Sequence, residues 1–202
     1  MKKNDLQIFT GSSATVASDR KNQSRNVTKR HDFADYLNIQ TEEDPLFVLM
    51  GTGFTTLDEN PGAQTSKKKY VNERASSSSI TSYETVFPFT SDLIVQQEAV
   101  LALYKVGRNH YTGSDAEFQY IRVELWDKVP DKEKEYAARL FVVSAEISSI
   151  SGEDEIAVSG NLNAVGDPVD GTFNTATRVF TPLSGSDQGS AGETDPAPDG
   201  EP

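Results

Sequence analysis

Apolar and polar residues alternate along residues 135–182, which form the most regular stretch of the chain. A period of two is typical of a half-buried β-strand. Two such runs flank the turn Ser151-Gly152, and a third predicted strand covers residues 172–181 after a Gly-Asp-Pro turn. The inward positions of the first two strands are Phe141, Val143, Ala145, Ile147, Ile156, Val158 and Leu162. The stretch therefore predicts three antiparallel strands.

The outward positions of the first two strands are small, polar or acidic. They are Ser144, Glu146, Ser148, Ser159, Asn161 and Asn163. None of these side chains forms a catalytic motif, and a smooth polar face indicates a surface that lines or covers something. An isolated sheet would present the same face to water.

Shorter patterns predict the elements that precede this stretch. Apolar or alternating runs predict strands at residues 46–50, 80–89 and 118–126, with Pro88 stopping the second. In the third, Ile121, Val123 and Leu125 are predicted to face inward, and Arg122 and Glu124 outward. Phe33 and Leu37 lie four residues apart, which predicts one or two helical turns in residues 30–38.

One helix is predicted, over residues 92–106. Thr90 or Ser91 would cap its start and Gly107 would end it. Its predicted apolar stripe consists of Val95, Ala99, Ala102 or Leu103, and Val106. The stripe would cover one face of the sheet.

Residues 57–74 form a long polar connection that contains Asn60-Pro61-Gly62 and Lys67-Lys68-Lys69-Tyr70. A structureless connection of this length is unusual in a compact domain, and where one occurs it is usually functional or disordered. We interpret it as a long projecting loop. The lysine cluster is either a contact site or an ordinary solvated charge run.

The order of predicted elements is strand, long loop, strand, helix and four strands. This order predicts an α+β fold that is mainly β: an antiparallel β-sandwich or barrel with one flanking helix and a long projecting loop.

Charge divides the chain into three predicted parts. Residues 1–30 carry seven Lys and Arg against two Asp, which predicts a basic N-terminal arm. Residues 183–202 carry five acidic residues and no basic one in a Gly/Ser/Pro background, which predicts a disordered acidic tail. The two segments cancel, so the predicted domain, residues 31–182, holds the full net charge of −12.

Several functional classes lack support in the sequence. An acidic domain argues against duplex-DNA binding, which depends on Lys and Arg. There is no Cys and there are only two His, no phosphate-binding or nucleophile motif is present, and Glu153-Asp154-Glu155 lacks the spacing of a calcium loop. No apolar run reaches the roughly 20 residues of a membrane span. We therefore expect that the protein is not an enzyme, binds no cofactor or metal ion, and does not span a membrane.

Residues 46–182 resemble a known family in the order and spacing of their segments. The segments are GTGFTTLDENPGAQTSKKKYVNERASSSSITSYETVFPF, the predicted helix, GSDAEFQYIRVELWDK and SGNLNAVGDPVDGTFNTATRVFTP. The chain resembles the major tail tube proteins of long-tailed, non-contractile bacteriophages, many of which end in a comparable Gly-Asp turn, Gly-Thr-Phe and final Phe-Thr. The acidic tail after Pro182 departs from the common pattern.

The resemblance implies a β-sandwich that forms hexameric rings, which stack into a tube. Neighbouring sheets would continue around the lumen, and the loop would reach the next ring through Pro61, Lys67, Lys68, Lys69 and Tyr70. The polar face, Ser144, Glu146, Ser148, Ser159, Asn161 and Asn163, would line the lumen. The implied partners are further copies, the tape measure protein, and the tail terminator and distal tail proteins. DNA would pass through the lumen without specific binding. The protein would assemble in the host cytoplasm and would be located in the virion tail.

A second hypothesis is a monomeric β-domain that decorates a virion or binds a surface through the loop. Self-association separates the two, because a tube protein forms rings or tubes and a binding module stays monomeric.

Overall fold

The computed structural model describes residues 27–72 and 74–183. The chain divides into two compact units, Met1–Arg30 and His31–Pro202, and the fold below belongs to the second. The predicted basic arm as far as residue 26, and the predicted acidic tail from residue 184, lie outside the described residues.

The second unit is built from eleven strands and one α-helix within its described part. The strands are β1 Phe33–Asn38, β2 Phe47–Leu49, β3 Phe54–Leu57, β4 Ala63–Lys68, β5 Ser77–Tyr83, β6 Val86–Asp92, β7 Glu117–Lys128, β8 Glu135–Ser151, β9 Ala157–Ala164, β10 Val169–Asn174 and β11 Val179–Pro182. The helix α1 is Glu98–Asn109, and short 3₁₀ turns occupy Arg30–Asp32 and Gly113–Ala116.

Nine of these strands form one antiparallel sheet in the order β2-β1-β7-β8-β9-β6-β3. The long strand β8 also pairs with β10, which in turn pairs with β11. The remaining strands, β4 and β5, pair only with each other. The predicted fold class, mainly antiparallel β with one helix, is confirmed.

The sheet curls around a first core cluster, to which every strand of that order and α1 contribute. Phe87 lies at its centre, with ring centroids 4.7 Å from Tyr120 and 5.0 Å from Phe141. A second core cluster lies on the opposite face of β1, β7 and β8. There Phe173 of β10 packs against Tyr36 at 4.6 Å and Phe47 at 5.9 Å. The central strands are therefore covered on both faces.

Two-sided burial explains two errors of the sequence analysis. The predicted outward position of Arg122 is wrong, because this side chain is buried within the sheet's concave side. The predicted helical turns at residues 30–38 are also wrong apart from the 3₁₀ turn. Most of that segment is β1, whose Leu37 joins the first core cluster and whose Tyr36 joins the second.

The helix begins six residues later than predicted. Thr90, Ser91 and Asp92 belong to β6, Leu93 donates its N–H to Ile156 O at 2.7 Å, and a turn closed by the bond from Gln97 N to Ile94 O then precedes the helix. Val95 is therefore exposed, and the buried face of α1 is Ala99, Val100, Leu103 and Val106.

Gly107 does not end the helix but lies inside it. A Cβ atom there would stand 2.8 Å from Ile147 Cγ2, so the missing side chain lets α1 approach β8 closely. The helix ends instead at His110, which adopts the left-handed conformation with φ 55°.

Two predicted strands are each divided between two strands of the structure, and one further strand is new. Residues 80–89 belong to two strands, β5 and β6. Pro88 lies within β6 and is tolerated there, because its nitrogen, which cannot donate a hydrogen bond, faces the point where the edge strand β3 has already ended. Residues 172–181 form β10 and β11 around a turn, not one strand. Strand β3 was not predicted.

Candidate interaction surfaces

The predicted long loop, residues 57–74, contains strand β4, which pairs with the following strand β5 in a two-stranded hairpin, here called the projecting hairpin. Its register runs from Ala63 opposite Tyr83 to Lys68 opposite Ser77, with a bulge between Gln64 and Thr65. Every residue of the two strands is exposed except Ser66, which is half-buried. Neither strand contributes to either core cluster.

The projecting hairpin carries the predicted contact residues. Lys67 and Lys68 lie in β4, Lys69 and Tyr70 follow it, and Pro61 lies at the base, where its carbonyl accepts a bond from Thr85 Oγ1 at 3.5 Å. Large apolar or aromatic side chains on the hairpin are also exposed: Tyr70 by 59%, Ile80 by 56% and Tyr83 by 61%. The hairpin thus combines positive charge with apolar surface.

Backbone bonds join the base of the hairpin to the main sheet. Asn60 and Val86 exchange two bonds, of 2.8 and 2.9 Å, and Glu84 N donates to Gly62 O at 3.2 Å. Gly62 has φ +62°, and a Cβ there would lie 2.2 Å from Glu84 O, so only glycine fits this turn without rearrangement.

Next to this base lies a group of four charged side chains, here called the Glu59 cluster: Asp35, Glu59, Arg122 and Arg139. Arg139 donates two bonds to the Glu59 carboxylate, at 3.0 and 2.9 Å. Arg122 Nε lies 3.6 Å from Glu59 Oε2 and 3.8 Å from Asp35 Oδ1. Tyr120, also buried, donates its hydroxyl to Asp35 Oδ1.

Two side chains in and beside the Glu59 cluster have shifted pKa values. Burial lowers the pKa of Arg139, but the hydrogen bond and charge of Glu59 outweigh this effect, so the pKa is raised. Burial raises the pKa of nearby Glu124, against the opposing charge of Arg139. Arg122 Nε and Nη1 are buried and make no hydrogen bond in the described part of the chain.

The second candidate surface is the outer face of β3, β6, β9, β8 and β7, here called the polar face. Directly opposed residues of antiparallel strands share a face. Three rows of such residues cross it: Thr56-Thr90-Ser159-Ser149, Pro88-Asn161-Glu146 and Val86-Asn163-Ser144-Glu117. These rows hold two carboxylates and neither Lys nor Arg.

Five of the six predicted outward residues fall in these rows. Glu146 lies in the middle, exposed, and accepts bonds from Asn161 Nδ2 at 3.4 Å and Asn163 Nδ2 at 3.2 Å. The sixth, Ser148, is exposed at a bulge between Ile147 and Ser149. The bulge shifts the register, so that Ser149 lies opposite Ser159 on this face.

Several residues of the polar face and of the Glu59 cluster were not predicted from the sequence. Ser149 was missed because a bulge has no clear sequence signal, and Glu117 because the predicted strand began one residue later. Glu59 and Arg139 were missed because they are 80 residues apart in sequence and meet only through the curl of the sheet.

Within residues 27–72 and 74–183 there is neither a metal-binding group of side chains nor a helix suited to cross a membrane. No group of three or more His, Asp or Glu side chains there is placed to hold a metal ion. No helix of that part is long and apolar enough to cross a membrane.

No protein-family model matches the chain, and no curated protein matches its sequence. A chain in the tail of an empty GTA particle, determined with C6 symmetry, is similar in structure with a TM-score of 0.44 and 10% identity, covering 70% of this chain and 97% of that one. A chain of the six-fold symmetrised anti-feeding prophage baseplate has a TM-score of 0.42 and 8% identity, covering 71% and 93%. At these values neither similarity establishes a shared family or function.

Proposed function

We propose that this chain is a structural subunit of a phage-like tail tube. In this proposal six copies form a ring, and rings stack around a channel through which the genome passes. The tape measure protein would occupy the channel during assembly, and the tail terminator and distal tail proteins would contact the two ends. The subunit would assemble in the host cytoplasm and remain in the virion tail. The resemblance of residues 46–182 supplies the architecture, and two surfaces of the structure support it.

The observation that carries the proposal is the unburied state of the projecting hairpin. A two-stranded hairpin alone is at best marginally stable in water, because it has no third strand or helix to bury its side chains against. Tyr70, Ile80 and Tyr83 are nevertheless more than half exposed. A second copy of the chain would provide the missing surface, and repeated head-to-tail contact of this kind produces a filament.

The composition of the polar face supports a channel wall. Proteins hold DNA mainly by neutralising its phosphates with Lys and Arg, and the three rows of the polar face have neither. In a six-fold ring, Glu117 and Glu146 would each occur six times. These carboxylates would repel phosphate over about 8 Å at physiological salt, so DNA would slide past without binding.

Stacking is tested by changing Lys67, Lys68 and Lys69 together to Glu. We expect the variant to fold as a subunit but to stop forming tubes, because the lysines would meet acidic groups on the next ring. Single exposed ion pairs contribute only about 0 to 1 kcal/mol, so the effect requires several lysines in each of six subunits. The measurement is negative-stain microscopy, with circular dichroism to verify folding.

A matched variant changes Lys105, Lys128 and Lys134 to Glu, which alters the net charge equally at exposed sites outside the hairpin. It should still assemble. Normal tubes from the hairpin variant at moderate salt would contradict stacking through these lysines.

The channel is tested by Glu146→Lys in an assembled phage. The exposed position should tolerate the change, so tails should look normal, whereas DNA release should be impaired by cationic contacts along the whole tube. Glu153→Lys, at the exposed β8–β9 turn, is the control with the same charge change. Normal tails with unimpaired release would mean that the polar face does not line the channel.

A further inference from the structure

The chain enters the projecting hairpin under two constraints. The first is a ladder of backbone bonds: Asp58 N to Pro88 O at 3.1 Å, two bonds between Asn60 and Val86 at 2.8 and 2.9 Å, and Glu84 N to Gly62 O at 3.2 Å. The second is the two-bond contact between the carboxylate of Glu59 and the guanidinium of Arg139. All bonds of the ladder join the same two segments, so this two-stranded ribbon can still bend and twist relative to the rest of the sheet, and the attachment of Glu59 to a different strand limits that movement.

The second constraint crosses the concave side of the sheet. Glu59 follows β3, the last strand in the sheet order, whereas Arg139 and Arg122 belong to the central strands β8 and β7. Arg122 faces the same carboxylate from the buried side, at 3.6 Å. The side chains of Glu59 and Arg122 are only 19% and 7% exposed, so little water competes for their charges.

We propose that Glu59 is a positioning residue that sets the direction in which the projecting hairpin leaves the sheet. Its carboxylate, clamped between Arg139 and Arg122, ties the base of the two-stranded ribbon to β8 and β7 and so limits its bending and twisting. The hairpin would otherwise swing, because β4 and β5 pair only with each other. The consequence for ring stacking rests on the proposed tube function, whereas the direction of the hairpin is a property of one subunit.

The direction is measurable because the chain has no cysteine. Cysteines introduced at two exposed positions, Ser79→Cys in β5 and Glu153→Cys at the β8–β9 turn, accept spin labels. Double electron–electron resonance then gives the distribution of distances between the hairpin and the body of the subunit. Low protein concentration keeps the measurement within single subunits.

We expect Glu59→Gln to broaden this distribution at least twofold or to add a second peak. The matched control is Glu84→Gln, which removes a carboxylate at the other side of the hairpin base. Glu84 accepts a bond only from Gln64 Nε2 of the hairpin itself, at 3.1 Å, among the described side chains, so this variant should keep the parent width. A Glu59→Gln distribution that superimposes on the parent would overturn the proposal.

Two further variants keep the test decisive if Glu59→Gln fails to fold. Arg139→Lys retains the charge but removes the paired bonds, and it should give an intermediate width. Arg139→Gln should broaden the distribution on its own, and where Glu59→Gln folds, the double variant should add nothing more, because both changes break one contact. Independent, additive broadening would contradict a shared clamp.

Tube formation is scored separately in the same variants. If the parent assembles, the variants with a broadened hairpin should assemble at least tenfold less at equal concentration. Broadened variants that assemble normally would refute the role in stacking. A parent that never assembles would refute the proposed function and leave the distance measurement valid.

Discussion

Removal of the Tyr120 hydroxyl tests how strongly the Glu59 cluster holds the central strands. Tyr120 of β7 is fully buried and donates to Asp35 of β1, which is 1% exposed. The substitution Tyr120→Phe keeps the ring, which packs on Phe87 at 4.7 Å, and removes only the donor. The carboxylate of Asp35 then stays buried with one partner fewer.

The expected magnitude follows from the type of bond lost. A hydrogen bond to a charged group contributes about 1.5 to 3 kcal/mol, and a buried acceptor without its donor gains no compensation from water. For a domain of this size, such a loss lowers the Tm by about 3 to 12 °C. Urea unfolding should show a lower midpoint with an unchanged slope, because the folded and unfolded states expose the same surface as before.

Tyr36→Phe is the matched control for this prediction. Tyr36 is a buried tyrosine of β1 on the opposite face of the sheet, and its hydroxyl makes no hydrogen bond to the described residues. Burial raises the pKa of Tyr36, against the opposing charge of Arg178. Its substitution should change the free energy of unfolding by less than about 0.5 kcal/mol. An equally small change for Tyr120→Phe would refute the importance of the contact with Asp35.

Three other predictions concern separate parts of the chain. Gly160→Ala should destabilise the fold by about 1 to 3 kcal/mol or more in urea unfolding, because a Cβ there would lie 2.0 Å from Glu146 O, whereas Ser159→Ala should have little effect. Bonds from Lys132 and Thr172 lower the pKa of Glu135 below 4.5. The stabilisation from Glu135 is therefore present above pH 4.5 and lost as the pH falls through the lowered value, so a stability difference from Glu135→Gln should shrink over that range; a constant difference would contradict it. Deletion of residues 184–202 should leave the Tm and tube formation unchanged, because their composition offers few apolar side chains, and loss of assembly would refute this.

The alternation of apolar and polar residues correctly predicted the strands that have one buried face and one exposed face. The inward residues Val143 and Leu162 and the outward residues Glu146 and Asn161 lie as the alternation indicates, because the β8–β9 hairpin has the first core cluster on one side only. The alternation fails where a strand is buried on both sides. Arg122 and Asp35 look like solvent positions in the sequence, and only the curl of the sheet over them makes them interior.

Boundaries failed where tertiary contacts override local signals. Ser91 and Asp92 resemble a helix start, yet the pairing of β6 with β9 keeps them extended. Gly107 resembles a helix end, yet it lies inside α1, where the close contact with Ile147 leaves no room for a side chain. The lysine-rich loop was recognised as a projection, but its strand β4 was not, because a polar strand with both faces exposed has no hydrophobic periodicity.

Negative-stain electron microscopy of the purified chain, over a range of concentrations, tests the proposed tube function most directly. The proposal predicts rings with six-fold symmetry that stack into tubes of uniform width as concentration rises, with a continuous central channel. A chain that stays monomeric at every concentration, as light scattering would show in parallel, would contradict the proposal and favour a surface-binding β-domain that uses the projecting hairpin for recognition.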